Sequence, residues 1–237
     1  MKEFLFNLKL NTKVTNVILS VNIVFWICTM IAGGSNSSMV LLRFGALNRS
    51  YVLAGETWRL VSSAFLHIDI LHLAVNSYTL YQLGTFIESF FGQTKLIATY
   101  VITAITASLL SIFFNNVISA GASGALFGLT GLLLGNMWAK KSYTMDLPID
   151  ERQLIPFVIF NLYFGMVVPG IDNWAHIGGL LGGIALGYVF DPSTSFDPST
   201  IKRILPGILG KISIILLAIT SVFMLLSIWG ANPLIVL

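Results

Sequence analysis

The sequence predicts an all-α fold, a polytopic bundle of seven membrane helices, and three observations carry that prediction. Hydrophobic residues make up 56% of the 237 and charged ones only 10%, whereas a water-facing domain carries about a quarter charged residues. The few charges leave apolar runs long enough to cross a bilayer, which takes about 20 residues. These runs lack the alternation of barrel strands, so their backbone groups must be satisfied within helices.

The elements follow from the charge-free runs. Val14 to Leu42 is the first, its apolar part ending near Gly33 and Gly34, and Ile70 to Ile87 is the second, interrupted by His72, Asn76 and Gln82. Leu96 to Ala139 holds 44 residues without a charge, enough for two spans, with a break at the polar, Gly-containing stretch Asn115 to Gly121. Gln153 to Ile171 and Asn173 to Phe190 flank Asp172, with Pro169 and Gly170 in the turn, and Ile212 to Leu237 is the last. The chain therefore divides into a short N-terminus (1–13), a six-span core (14–190), a connector (191–211) and a seventh span (212–237). The connector carries DPST twice, a turn-rich composition. Lys2, Lys9 and Lys13 before the first run also fit a signal peptide, but no small-residue cleavage site follows it.

Basic residues set the orientation. With the N-terminus cytoplasmic, ten Lys and Arg fall inside and three (Arg43, Arg49, Arg59) outside. This places a multi-pass protein in the cell membrane with its C-terminus outside. The net charge of +3 comes from 13 Lys and Arg scattered between apolar runs rather than gathered on one face, which argues against nucleic acid as a partner. Cys28 is the single cysteine, so no intrachain disulfide forms, and it is expected to pack in the first span. No phosphate loop, metal-ligand spacing or flavin motif occurs, so no cofactor and no metal are expected.

Polar residues inside spans are costly and mark functional sites. His72 and Asn76 lie i and i+4 on one face of the second span, Gly121-Ala122-Ser123-Gly124 opens the fourth, and Asn173-Trp174-Ala175-His176 opens the sixth. All three spans enter from the outside, so the three groups share one depth, within about 5 to 10 Å of the outer end. Gly124-xxx-Gly128 and Gly179-xxx-Gly183-xxx-Gly187 form small-residue faces that let two backbones approach. Ser123 and His176 could then pair as nucleophile and base, because a hydroxyl attacks only when a base takes its proton. His72, Asn76 and the Ser123 backbone N–H are the donors available to a developing oxyanion. Asp172 and Asp69 lie at the membrane edge and in the outer loop, so a dyad is expected. Each element alone has a plainer reading: glycines that only pack helices, a histidine that bonds a neighbouring helix, or a solute site.

Taken in order, these residues resemble the rhomboid family of intramembrane serine proteases over about Asn48 to Tyr188. Trp58-Arg59 resembles the family's Trp-Arg pair, and His67, His72 and Asn76 its second-helix pattern. Gly84, Glu88 and Gly92 resemble GxxxExxxG, Gly121 to Gly124 the GxSG nucleophile motif, and Ala175 to Gly179 the motif with its histidine. The resemblance implies a six-helix rhomboid-like core with a C-terminal seventh transmembrane helix added. It also implies a Ser123/His176 dyad, oxyanion stabilisation by the Ser123 amide, His72 and Asn76, and Phe127 packed beneath the histidine ring, where relatives often carry tyrosine. The implied substrates are single-span membrane proteins cut near the outer face within the lipid bilayer, entering between the fifth span, with Pro156, and the second. Trp58 and Arg59 are expected to order the outer loop, or else to anchor it at the headgroups. His67 is expected to be structural or water-facing. Competing classes are a catalytically inactive relative that binds membrane helices and a small-solute transporter, though a transporter site belongs nearer mid-depth.

Overall fold

The computed structural model describes residues 12–139, 150–190 and 200–228, with side chains of the last segment over 205–226. Lys2, Lys9, Lys140, Lys141, most of the doubled DPST and the last residues of the expected seventh span lie outside the described residues.

Among the described residues seven long helices overlap the seven apolar stretches, the last of them beginning at Thr200, within the expected connector. They are α1 (Lys13–Ile31), α5 (Ile70–Phe91), α6 (Gln93–Phe114), α7 (Ser123–Ala139), α8 (Glu151–Val167), α9 (Asn173–Val189) and α10 (Thr200–Ile228). Between α1 and α5 lie three short helices, α2 (Ser38–Arg43), α3 (Arg49–Leu53) and α4 (Arg59–Ser62), and a 3-10 turn, Ser63–Phe65. The first apolar run divides because Gly33 and Gly34 take positive φ, and Ser37 caps α2 as a new start. By length and hydropathy Lys13–Ile31, Gln93–Phe114 and Leu205–Leu226 can each cross a membrane, and Arg59–Phe65 with Ile70–Phe91, bent by 96°, makes a fourth candidate. The helices α7, α8 and α9 have 17 residues each, about 25 Å at 1.5 Å per residue.

Burial is inverted relative to a protein in water. In α1 the buried residues are Thr15, Ile18, Asn22 and Thr29, while Val17, Val24 and Ile31 are exposed. Helix α8 buries only Leu154, Val158 and Gly165 and exposes Ile159, Phe160, Tyr163 and Met166. Polar groups turn inward and apolar ones outward because the surrounding solvent is hydrocarbon. Helix α7 is the exception that locates the core, for every residue from Gly124 to Asn136 is buried. A helix apolar on all sides must be enclosed by others.

The enclosure depends on small residues. A Cβ on Gly179 would strike the Gly124 carbonyl of α7, one on Gly183 the Gly128 carbonyl, and one on Gly131 the Leu180 carbonyl of α9. The two backbones thus touch along their length, the contact that small-xxx-small faces permit. Asn136 locks the far end of this pair, its Nδ2 donating to the carbonyls of Gly187 (3.3 Å) and Phe190 (2.8 Å) at the end of α9. On the other side Thr106 of α6 donates to the Gly178 carbonyl at 2.9 Å.

Two carboxylates outside the expected site organise the rest. Glu88, late in α5, accepts from the backbone N–H of Val14 (2.9 Å) and Thr15 (2.8 Å) and from Thr15 Oγ1 (2.7 Å), capping the start of α1. One turn earlier Gly84 leaves room for Thr15, which a Cβ would approach at 3.0 Å. The Gly-xxx-Glu pattern is therefore a docking seat for α1. Arg59 is 1% exposed and pairs with Glu56, while its Nη1 donates to the carbonyls of Leu42 (2.7 Å) and Ala46 (3.0 Å). It ties α4 to the turn after α2 instead of reaching outward to headgroups.

Candidate active site

Ser123 is the first residue of α7, where the leading N–H groups of a helix have no intrahelical partner and the helix dipole favours an anion. The stretch leading to it is held by backbone bonds. Leu47 and Ser119 exchange N–H···O bonds of 2.8 and 2.9 Å, and the Gly121 N–H donates to the Ser63 carbonyl at 3.0 Å. Gly121 has φ +150°, and a Cβ there would lie 2.6 Å from His72 Cε1 and 3.6 Å from Asn76 Nδ2. Only glycine fits both the backbone and the space. Its closeness also places His72 and Asn76 beside the chain that enters Ser123.

His176 lies one turn into α9. Its Nε2 is 3.0 Å from Ser123 Oγ, within hydrogen-bond reach. The ring of Phe127, one turn after Ser123, stacks on the imidazole with centroids 4.3 Å apart and planes 12° apart, which fixes the ring's tilt. The other nitrogen, Nδ1, is buried without a hydrogen-bond partner among the described residues. Asp172 does not meet it. Its carboxylate caps α9 through the Ala175 N–H (3.2 Å) and accepts from Ser111 Oγ (2.5 Å) and Asn115 Nδ2 (3.1 Å) at the end of α6.

His72 stands in the first turn of α5, its backbone N–H donating at 2.8 Å to Asp69, the helix N-cap. Asn76, one turn on, is buried, and its Nδ2 has no hydrogen-bond partner among the described residues. A buried amide donor left unpaired in the resting protein is free to receive an acceptor. His67 is fully buried with its ring edge-on to that of His72, centroids 5.2 Å apart, so it supports His72 and does not face water.

Ser123, His176, Phe127, Gly121, His72 and Asn76 thus converge at one end of the bundle. Trp58 and Arg59 do not join them. Trp58 fills the space a side chain at Gly45 would take and stacks on Phe223 of α10 at 6.1 Å, and Arg59 braces α4. Sequence reasoning missed Ser111, in the last turn of α6, and Asn115, the residue that ends it, as partners of one carboxylate. It also missed the Ser63 carbonyl, a backbone group that no side-chain pattern reveals.

Comparison with known proteins assigns the chain to a family. A family model described as the Rhomboid domain matches residues 54–193. The chain is 40% identical over 169 residues to Rhomboid protease GluP of Bacillus subtilis, covering 71% of this chain and 33% of that one. It is 37% identical over 170 residues to RHOMBOID-like protein 5 of Arabidopsis thaliana, covering 70% and 55%, and 29% identical over 195 residues to Rhomboid-like protease 1 of Toxoplasma gondii, covering 77% and 66%. The chain spans between a third and two thirds of the length of these relatives. With its apolar helices and inverted burial it is a multi-pass membrane protein, and it belongs to the rhomboid family.

Proposed function

We propose that the protein is an intramembrane serine endopeptidase that cuts membrane-spanning segments near the outer face, with Ser123 as nucleophile and His176 as base. The observation that carries this reading is the 3.0 Å approach of Ser123 Oγ to His176 Nε2 in a ring position set by Phe127. In the reaction Ser123 Oγ attacks the scissile carbonyl carbon and its proton passes to His176 Nε2. The oxyanion that forms accepts hydrogen bonds from the Ser123 N–H, His72 and Asn76 Nδ2. Collapse breaks the C–N bond, His176 gives its proton to the leaving amine, and water taken up through the same base hydrolyses the ester on Ser123. A dyad serves here because burial and the Phe127 stack orient the imidazole, the task a third carboxylate performs elsewhere.

A substrate helix hides its carbonyls in its own hydrogen bonds, so the cut segment must unwind first, which favours small or helix-breaking residues near the cleavage point. Helix α8, which buries few residues and contains Pro156, and α5 form the side through which such a segment enters. The test is purified protein in liposomes with a panel of single-span substrates and a fluorophosphonate probe. Cleavage within the span together with labelling of Ser123 is expected, and a chain that neither cuts nor labels refutes the reading.

Asn76→Ala and His72→Ala are expected to lower kcat by about 10- to 1,000-fold with KM little changed, because the Ser123 N–H remains as a donor. A rise in KM alone would move that residue from the oxyanion to substrate binding.

We further propose seven spans with the N-terminus cytoplasmic, supported by the ten-to-three distribution of basic residues. The six-span core is then 14–190, and α10 carries the seventh. A reporter that works only outside the cytoplasm should be active after Leu237 and silent within 140–151, and the opposite pattern would turn Ser123 toward the cytoplasm.

A further inference from the structure

Helix α10 lies beyond residues 54–193, the stretch matched by the Rhomboid domain, yet its C-terminal half packs against the frame that holds Ser123. Met224 is 1% exposed and belongs to one buried cluster with Val40, Phe44, Trp58, Leu66 and Ala120. Ala120 stands three residues before Ser123, between the Leu47–Ser119 bridge and the Gly121 N–H that bonds Ser63. Leu66 precedes His67, whose ring meets His72. Phe223 stacks on Trp58 with planes 10° apart, and Trp58 fills the hollow at Gly45.

We propose that α10 is a positioning brace for the active site, in which Phe223 and Met224 hold Trp58 and the residue 118–121 approach so that Ser123 and its oxyanion donors stay in register. This rests on the protease reading above and adds to it a role for the appended helix. The brace acts through packing, since cores are close-packed and transmit small shifts. A displacement of about 1 Å at a nucleophile can cost about 100-fold in rate. The other face of α10, with Val222 and Leu225 exposed, points away from the frame and has no such part.

The test uses the full chain with a Phe223→Ala/Met224→Ala double variant, and Val222→Ala/Leu225→Ala as a pair removing similar apolar volume from the exposed face. Three quantities are read below the melting temperature: the rate at which a fluorophosphonate labels Ser123, and kcat and KM for a single-span substrate. The braced pair should lower labelling and kcat together by about 10- to 100-fold, with KM within about twofold, while the exposed-face pair stays at wild type. Phe223→Trp, which keeps an aromatic ring against Trp58, should retain most of the rate. Wild-type labelling by the double variant, or an equal loss in the exposed-face pair, overturns the brace. Should the double variant fail to fold, Phe223→Leu decides, because it keeps apolar volume and loses the stack: slower labelling at unchanged KM supports the brace, and wild-type labelling overturns it. An inactive wild-type protein would refute the protease reading, and the brace with it, whereas an active wild type with an equally active double variant refutes the brace alone.

Discussion

Ser123→Ala and His176→Ala are each expected to reduce cleavage by about 10,000-fold or more, and the double variant to be no worse than either, because nucleophile and base act as one unit. Without the imidazole the hydroxyl keeps its proton at neutral pH, and without the hydroxyl nothing attacks. Neither change should unfold the bundle, since Ser123 and His176 meet only at their side chains. The expected signature is a protein that melts like wild type, inserts normally, and leaves both substrate and probe untouched. Substantial turnover by either purified variant would refute the dyad, and labelling of Ser123 in the His176 variant at the wild-type rate would show that the base is some other group.

The second large effect is expected far more cheaply, from one methyl group. Gly179→Ala places a methyl group against the backbone carbonyl of Gly124, at the level where α9 presents His176 and α7 presents Ser123. Neither main chain can rotate aside, so the helices must part. Overpacking of this kind costs about 1 to 3 kcal/mol of stability, and the widened gap should cost about 100-fold or more in kcat. Gly207→Ala in α10, which meets nothing within 4 Å, is the control and should leave activity unchanged. Thermal melting and probe labelling separate the two effects, and a Gly179→Ala variant with wild-type labelling would mean that α9 can shift without moving His176.

Much of this was legible in the chain because a bilayer leaves few alternatives. Charge-free runs locate the long helices, and the glycine faces of α7 and α9 give their pairing before any coordinate is known. The common depth of His72, Asn76, Ser123 and His176 follows from run lengths and the order of the spans, and the structure brings these residues to one end of the bundle. What was hidden depends on backbone atoms and on partners distant in sequence. The first span ends near Gly33 and Gly34 as the sequence indicates, but the positive φ at both glycines and the new helix that Ser37 starts are backbone facts that hydropathy does not carry. Arg59 is expected to order the outer loop, but the groups through which it does so, Glu56 and the carbonyls of Leu42 and Ala46, are seen only in the structure. Asp172 is set aside as a third catalytic member by its place at the membrane edge, but the partners it serves instead, Ser111 and Asn115, lie 61 and 57 residues away in sequence.

The cap on α1 bears on how the protein is made. The N–H groups that Glu88 receives belong to Val14 and Thr15, so the carboxylate is 74 and 73 residues downstream of the amides it caps. At about 5 to 20 residues per second a ribosome delivers Glu88 roughly 4 to 15 s after Thr15. During that interval α1 enters the bilayer with its leading amides uncapped and the inward row of Thr15, Asn22 and Thr29 facing no mature partner. Helix α1 is therefore made well before the carboxylate that completes its start, and its inward polar row waits for that partner until α5 arrives.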